Sequence, residues 1–147
     1  MLPSDIRVGW VFRYAYLWDH QHREGREEGE KDRPCLVLAI VTTDEDGVSI
    51  VRVLPITHTP PLHPGAAVEI PARVKARLGL DAGRSWIVLT ESNRFTWPGP
   101  DLRPTETASG YHGELPPALF AEVRRRFVAI ARGETAGTTH RSVPRTG

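Results

Sequence analysis

Residues 6–18, IRVGWVFRYAYLW, change character at every second position. Val8, Trp10, Phe12, Tyr14, Tyr16 and Trp18 fall on one side, and Arg7, Gly9, Val11, Arg13, Ala15 and Leu17 on the other. Successive side chains leave a strand on opposite faces, so this alternation predicts a β-strand with an aromatic face. Residues 19–32 hold charges, histidines and glycines but no large apolar side chain, which predicts a solvated loop. Two β-rich runs follow, RPCLVLAIVTT from Arg33 and VSIVRVLPIT ending at Thr57. The Asp-Gly turn between them predicts a hairpin. A proline-rich stretch, HTPPLHPG, leads to a short strand, AVEIP, and then to ARVKARLGL, which suits about two helical turns ended by Gly79.

SWIVLTESNRFTW returns to the strand pattern, and residues 98–113 read as loop. The clearest helix is PPALFAEVRRRFVAIAR, residues 116–132. Prolines suit its first turn, Gly133 suits its end, and Leu119, Val123, Phe127 and Ile130 form one apolar stripe. Residues 134–147 show no periodicity and are expected to form a disordered tail. The whole predicts a single domain over residues 1–133. Its class is α+β, mainly β with helices, built as a small, strongly bent sheet or barrel with a C-terminal helix against it.

Composition narrows the picture. Of the 147 residues, 39% are hydrophobic and 25% charged, as in an ordinary globular domain. The net charge of +1 supplies no global field toward a polyanion, so any nucleic-acid contact must come from a local patch. The single cysteine, Cys35, rules out an internal disulfide and fits a reducing, cytoplasmic setting. Within CLVLAIV it reads as a small buried hydrophobe and not as a nucleophile. No apolar run approaches the roughly 20 residues that span a bilayer, and the N-terminus lacks the pattern of a signal peptide. No membrane contact is expected.

Candidate chemistry gathers where the charged loop meets the first long apolar run. The Arg33 guanidinium stays charged and can grip two phosphate oxygens at once. Pro34 has no N–H to donate and fixes the entry into the strand. Thr57, at the end of the next strand, offers a hydroxyl donor. His58 follows it, and histidine is a side chain suited to acid or base work. The competing readings are a surface arginine paired with a loop carboxylate, a turn-capping threonine and an exposed histidine. Trp18, at the loop edge, is either a stacking platform for a base or a core residue. His20 and His22 in DHQH have a zinc-like spacing, but a site needs a third ligand such as His58, His63 or His112.

Four islands in order, KDRPCLVL, VRVLPITHT, GLDAGRSWIVLTESNRF and GELPPALFAEVRRRF, resemble the PemK/MazF/Kid family of bacterial toxins. The resemblance covers roughly Ile6 to Arg132. It implies an SH3-like barrel, a homodimer and cleavage of single-stranded RNA without metal or other cofactor. It also implies a cognate antitoxin whose disordered segment wraps the toxin. Carried over residue by residue, Arg33 matches the family's catalytic arginine and Thr57 its threonine. Glu28, five residues before Arg33, matches its glutamate, with Glu24, Glu27 and Glu30 close by. His58 stands where a small hydroxyl residue is usual. Glu91 takes the place of an acidic residue and Ser92 the place after it. Leu89 stands where some members have arginine, a part that Arg94 is placed to take. These departures leave room for a different class of function, a catalytically inactive barrel that binds protein or nucleic acid.

Overall fold

The computed structural model describes residues 7–25, 33–42, 49–97, 111–135 and 137–145. Glu27, Glu28 and Glu30 lie outside these residues. The strands are β1 (Trp10–Tyr14), β2 (Arg33–Thr42), β3 (Ser49–Thr57), β4 (Ala67–Glu69), β5 (Trp86–Val88), β6 (Glu91–Trp97), β7 (Tyr111–Glu114) and β8 (Arg141–Pro144). The helices are α1 (Asp19–Arg23), α2 (Ala72–Arg77) and α3 (Pro117–Ala131). All eight strands join one sheet, in the order β4-β5-β3-β2-β1-β7, with β6 paired to β3 and β8 paired to β6. The pairs are antiparallel except β6–β8, which is parallel. The fold is α+β and mainly β. The described sheet is open, because β4 and β7 end the order without pairing to each other.

Alternation along β1 sends side chains into two different cores. Trp10, Phe12 and Tyr14 join Cys35, Val37, Val51, Val53 and Phe95. Val11 joins Leu36, Leu38, Leu54 and Ile56. The middle of the sheet is therefore covered on both faces, and β2 reads as an unbroken apolar run for that reason. Val123 and Ile130 of α3 close the second core, with Leu119, Phe120 and Phe127 packed around them. The helix stops where Gly133 turns left-handed at φ 73°. Cys35 is fully buried, as a small hydrophobe would be.

The long strand expected over 85–97 is two strands. Its first part, β5, pairs with the end of β3 at Ile56 and Thr57. Its second part, β6, pairs with Ser49–Val53. Pro55, which has no N–H to donate, sits at the interruption. β1 is shorter than the alternation predicted, and α1 begins at Asp19 inside the expected loop. Beyond β1 the chain stays anchored. Leu17 N–H donates to Asn93 Oδ1 at 2.8 Å, and Asn93 Nδ2 donates to the Leu17 carbonyl at 2.7 Å, with Asn93 fully buried on β6.

Two segments read as loop or tail are part of the sheet. β7 pairs with β1, where Tyr111 packs against Trp10 with the rings tilted and their centroids 4.6 Å apart, and Trp10 Nε1 donates to Glu114. Residues 141–144 are not disordered: β8 lies along β6, with Val143 and Arg145 buried. One apolar residue in four was too little pattern to announce that strand.

Candidate functional site

The start of β2 and the end of β3 are neighbours at one end of the sheet's central strands. Their antiparallel register pairs Leu36 with Leu54 and Cys35 with Pro55. Continued by two residues, it sets Arg33 beside Thr57. The two side chains share the wall of a cavity of about 330 Å³ with Arg13, His58, Asp81 and His112, and Pro34 and Ser85 also border it. Arg33 comes from the start of β2, Thr57 and His58 from the end of β3, Asp81 from the turn after α2, and His112 from β7.

The Arg33 guanidinium carbon lies 4.8 Å from the centre of the Trp18 ring. Trp18 packs edge-on against Tyr16, with ring centres 5.0 Å apart. It is half-buried and one face of its ring carries the arginine, so it is not a plain core residue. A ring face attracts a cation without neutralising it. Arg33 Nε is buried without a hydrogen-bond partner, and no carboxylate among the described residues pairs with this side chain. Thr57 Oγ1 accepts from Thr59 N–H at 3.2 Å. The threonine caps a turn and still has its hydroxyl hydrogen to give.

His58 is fixed from both sides. Nδ1 lies 2.8 Å from the Arg84 carbonyl, and Nε2 lies 2.8 Å from Asp81 Oδ2. Those two partners only accept, so the doubly protonated ring donates to both, and the neutral ring with its proton on Nε2 donates to Asp81 while its Nδ1 accepts from the Ser85 hydroxyl, 3.3 Å away. The other Asp81 oxygen takes a bond from the Lys75 ammonium at 2.9 Å, and Lys75 also donates to the Gly83 carbonyl. The Lys75 bond, with smaller help from His58, holds the Asp81 carboxyl below the usual carboxylate range. Lys75 itself is buried.

His112 is the residue that sequence reasoning undervalued, weighing it only as a spare zinc ligand. Its Nδ1 lies 3.2 Å from the Leu78 carbonyl, which fixes the proton there. Nε2 is buried without a partner. Burial pushes its pKa down, the Leu78 bond works against this, and the Arg13 charge adds to the fall. The ring is therefore neutral at pH 7 and keeps a lone pair on Nε2. No local motif announces this, since Leu78 and Arg13 reach His112 only through the fold.

Other candidates lie elsewhere. Glu91 Oε1 accepts from the Tyr16 hydroxyl and from Asp19 N–H, each at 3.0 Å, outside the cavity wall. Burial holds its carboxyl above the usual range, against the pull of the Asp19 and Tyr16 bonds. In the window from the ordinary glutamate value up to the raised one, the folded protein keeps a proton that the unfolded chain has lost. Stability therefore falls as pH rises through that window. Glu91→Gln should remove this step. Urea midpoints followed from about pH 4 to pH 7 should fall more steeply for the wild type than for the variant, and parallel curves would refute the assignment.

Arg94 also lies outside the cavity, with Nε donating to Ser142 Oγ at 2.7 Å. Leu89 is fully buried. His20 and His22 sit on α1 with exposed side chains. Among the described residues no group of three or more histidine, cysteine or acidic side chains is placed to hold a metal ion. Among the same residues no helix is long and apolar enough to cross a membrane. Comparison with protein-family models, with curated proteins and with solved structures returns no significant match.

Proposed function

We propose that this chain is an endoribonuclease of the PemK/MazF kind, which cuts single-stranded RNA without a metal ion. The observation that carries the reading is the single cavity shared by Arg33 and Thr57, in which the Arg33 charge meets no described carboxylate. In the reaction the substrate's 2′-oxygen attacks the adjacent phosphorus and the bond from phosphorus to the 5′-oxygen breaks. A base takes the 2′-hydroxyl proton and an acid returns one to the leaving oxygen. The products are a 2′,3′-cyclic phosphate and a 5′-hydroxyl. Arg33 and Thr57 donate to the non-bridging oxygens, whose charge grows in the transition state. Proton transfer falls to His58, on the cavity wall, or to Glu28, five residues before Arg33.

The same reading brings an SH3-like curvature of the sheet, a homodimer with a shared groove, a cytoplasmic setting and neutralisation by a cognate antitoxin. A second reading, a barrel that binds RNA or protein without catalysis, draws on Glu91. That carboxylate is engaged by Tyr16 and α1 and does not border the cavity.

Digestion of single-stranded RNA in the presence of a chelator separates the two. Fragments ending in cyclic phosphate support the nuclease. RNA retained without product supports the binding module. Activity that disappears with chelator overturns the metal-independent mechanism.

A further inference from the structure

Away from the cavity, the pairing of β3 with β6 sets Arg52 directly opposite Arg94. Like charges facing each other across a sheet repel. Neither side chain has a carboxylate partner among the described residues. Every hydrogen bond they make with a described side chain goes to a neutral hydroxyl. Arg52 Nη1 donates to Ser92 Oγ at 2.6 Å and to Ser142 Oγ at 2.9 Å, and Arg94 Nε donates to the same Ser142 oxygen at 2.7 Å. Behind them, Ser92 meets His140 Nε2 at 2.9 Å, and His140 Nδ1 lies 2.7 Å from the Leu89 carbonyl. That carbonyl fixes the His140 proton on Nδ1, so Nε2 accepts from Ser92, which leaves the Ser92 oxygen free to receive Arg52. Burial, with the Arg52 charge adding to it, pushes the His140 pKa down and keeps the ring neutral.

Two guanidiniums are thus held together by a scaffold whose described residues contribute no negative charge to them. Arg52 is partly desolvated, and burial together with Arg94 lowers its pKa. Arg94 keeps both terminal nitrogens without a described acceptor. Ser142 is exposed, and its hydroxyl hydrogen is free to donate because its oxygen already accepts twice. Planar, fixed forks of this kind match the oxygens of a tetrahedral oxyanion.

We propose that Arg52, Arg94 and Ser142 form a phosphate-binding site distinct from the Arg33 cavity. None of the three borders that cavity. Along β3, Arg52 and Thr57 are five residues apart, about 17 Å in an extended strand. The phosphate is either free inorganic phosphate or a phosphodiester of a polynucleotide. Only the second source rests on the ribonuclease reading.

The test uses the full chain and inorganic phosphate, with sodium chloride at matched ionic strength as the reference. Phosphate should raise the unfolding temperature and shift the side-chain Nε–H NMR signals of Arg52 and Arg94. Arg94→Gln should weaken phosphate binding about tenfold or more and should raise the unfolding temperature without phosphate, because the repulsion is relieved. Arg33→Gln should leave the Arg52 and Arg94 signals responsive. Equal phosphate responses in wild type and Arg94→Gln, or silent Arg52 and Arg94 signals, overturn the site. The side-chain signals are read on the wild type, so they decide the question even if a variant folds poorly. A single-stranded oligodeoxynucleotide, which lacks the 2′-hydroxyl and is not cut, identifies the source. A salt slope smaller by about one in Arg94→Gln points to a polynucleotide phosphate, and an unchanged slope points to free phosphate. Absence of RNA cleavage would remove the ribonuclease reading and leave the phosphate titration untouched.

Discussion

Arg33→Ala should leave the protein folded and lower its RNA-cleavage rate by about 10²–10³-fold. The fold should tolerate the change because Arg33 makes no described side-chain hydrogen bond. Its main contact is with the face of Trp18, 4.8 Å away. Such a contact contributes about 0.5–2 kcal/mol. Catalysis should not tolerate it. The guanidinium borders the cavity without a carboxylate partner among the described residues, and its interaction with the phosphate grows as charge builds on the non-bridging oxygens. Arg33→Lys keeps a charge without the planar fork, so its rate should fall between the two. Arg84→Ala is the matched control. Its side chain is already occupied by both oxygens of Glu69, at 2.8 Å each, and takes no part in the proposed machinery, while the backbone carbonyl that meets His58 is kept by the substitution. Single-turnover rates with circular dichroism on the same samples decide the matter. An Arg33→Ala protein that is folded and cuts at the wild-type rate removes the proposed function.

The largest loss of stability is expected from Asn93→Ala, about 2–4 kcal/mol. The side chain is fully buried and closes both hydrogen bonds of Leu17, one in each direction. Truncation leaves an N–H and a carbonyl without partners in a place that water does not enter, and each costs far more unpaired than a made bond contributes. Asn93→Asp keeps the acceptor for Leu17 N–H and faces Arg145 Nη1, 3.4 Å from the Asn93 oxygen, but it loses the donor to the Leu17 carbonyl, so it should rescue only in part. Leu17 precedes Trp18, the ring beneath Arg33, so the alanine variant should also cleave RNA more slowly than its folded fraction predicts. Urea unfolding checks the first effect, and activity normalised to folded protein checks the second. A loss below about 1 kcal/mol would show that Leu17 finds other partners.

Asn93 marks the limit of what the chain announces about itself. In SWIVLTESNRFTW it is one of a run of polar residues, Glu91, Ser92, Asn93 and Arg94, with nothing local to mark it as the buried one, and its partner lies far away in sequence. The same holds for β8, where Val143 is the only apolar residue of Arg141–Pro144 and the strand exists because β6 has an edge to cover. By contrast, the alternation of Trp10, Phe12 and Tyr14 and the stripe Leu119, Val123, Phe127 and Ile130 are local patterns, and both appear in the structure where they were expected. Arg33 and Thr57 were legible because each ends a strand next to proline or loop. The supports of the cavity were not: Lys75, Asp81 and His112 are brought together by α2 and β7 without a motif. Glu91 and Arg94 were assigned by position along a strand, and the sheet carries both side chains elsewhere.

The bulge in β2 between Val37 and Ala39 has a bearing on how this hairpin tolerates change. Leu36, Val37 and Leu38 are all apolar and both faces are covered, so solubility alone penalises a slipped alignment only weakly. Removing Leu38, the extra residue at the bulge, would leave Val37 opposite Val53 and Ala39 opposite Arg52, but removing a residue between Pro34 and Val37 would shift the start of β2 by one position and turn Arg33 away from Thr57. The interior would still look oily throughout. Insertions and deletions between Arg33 and the bulge therefore act as a frameshift of the cavity, silent in hydropathy and visible only in chemistry.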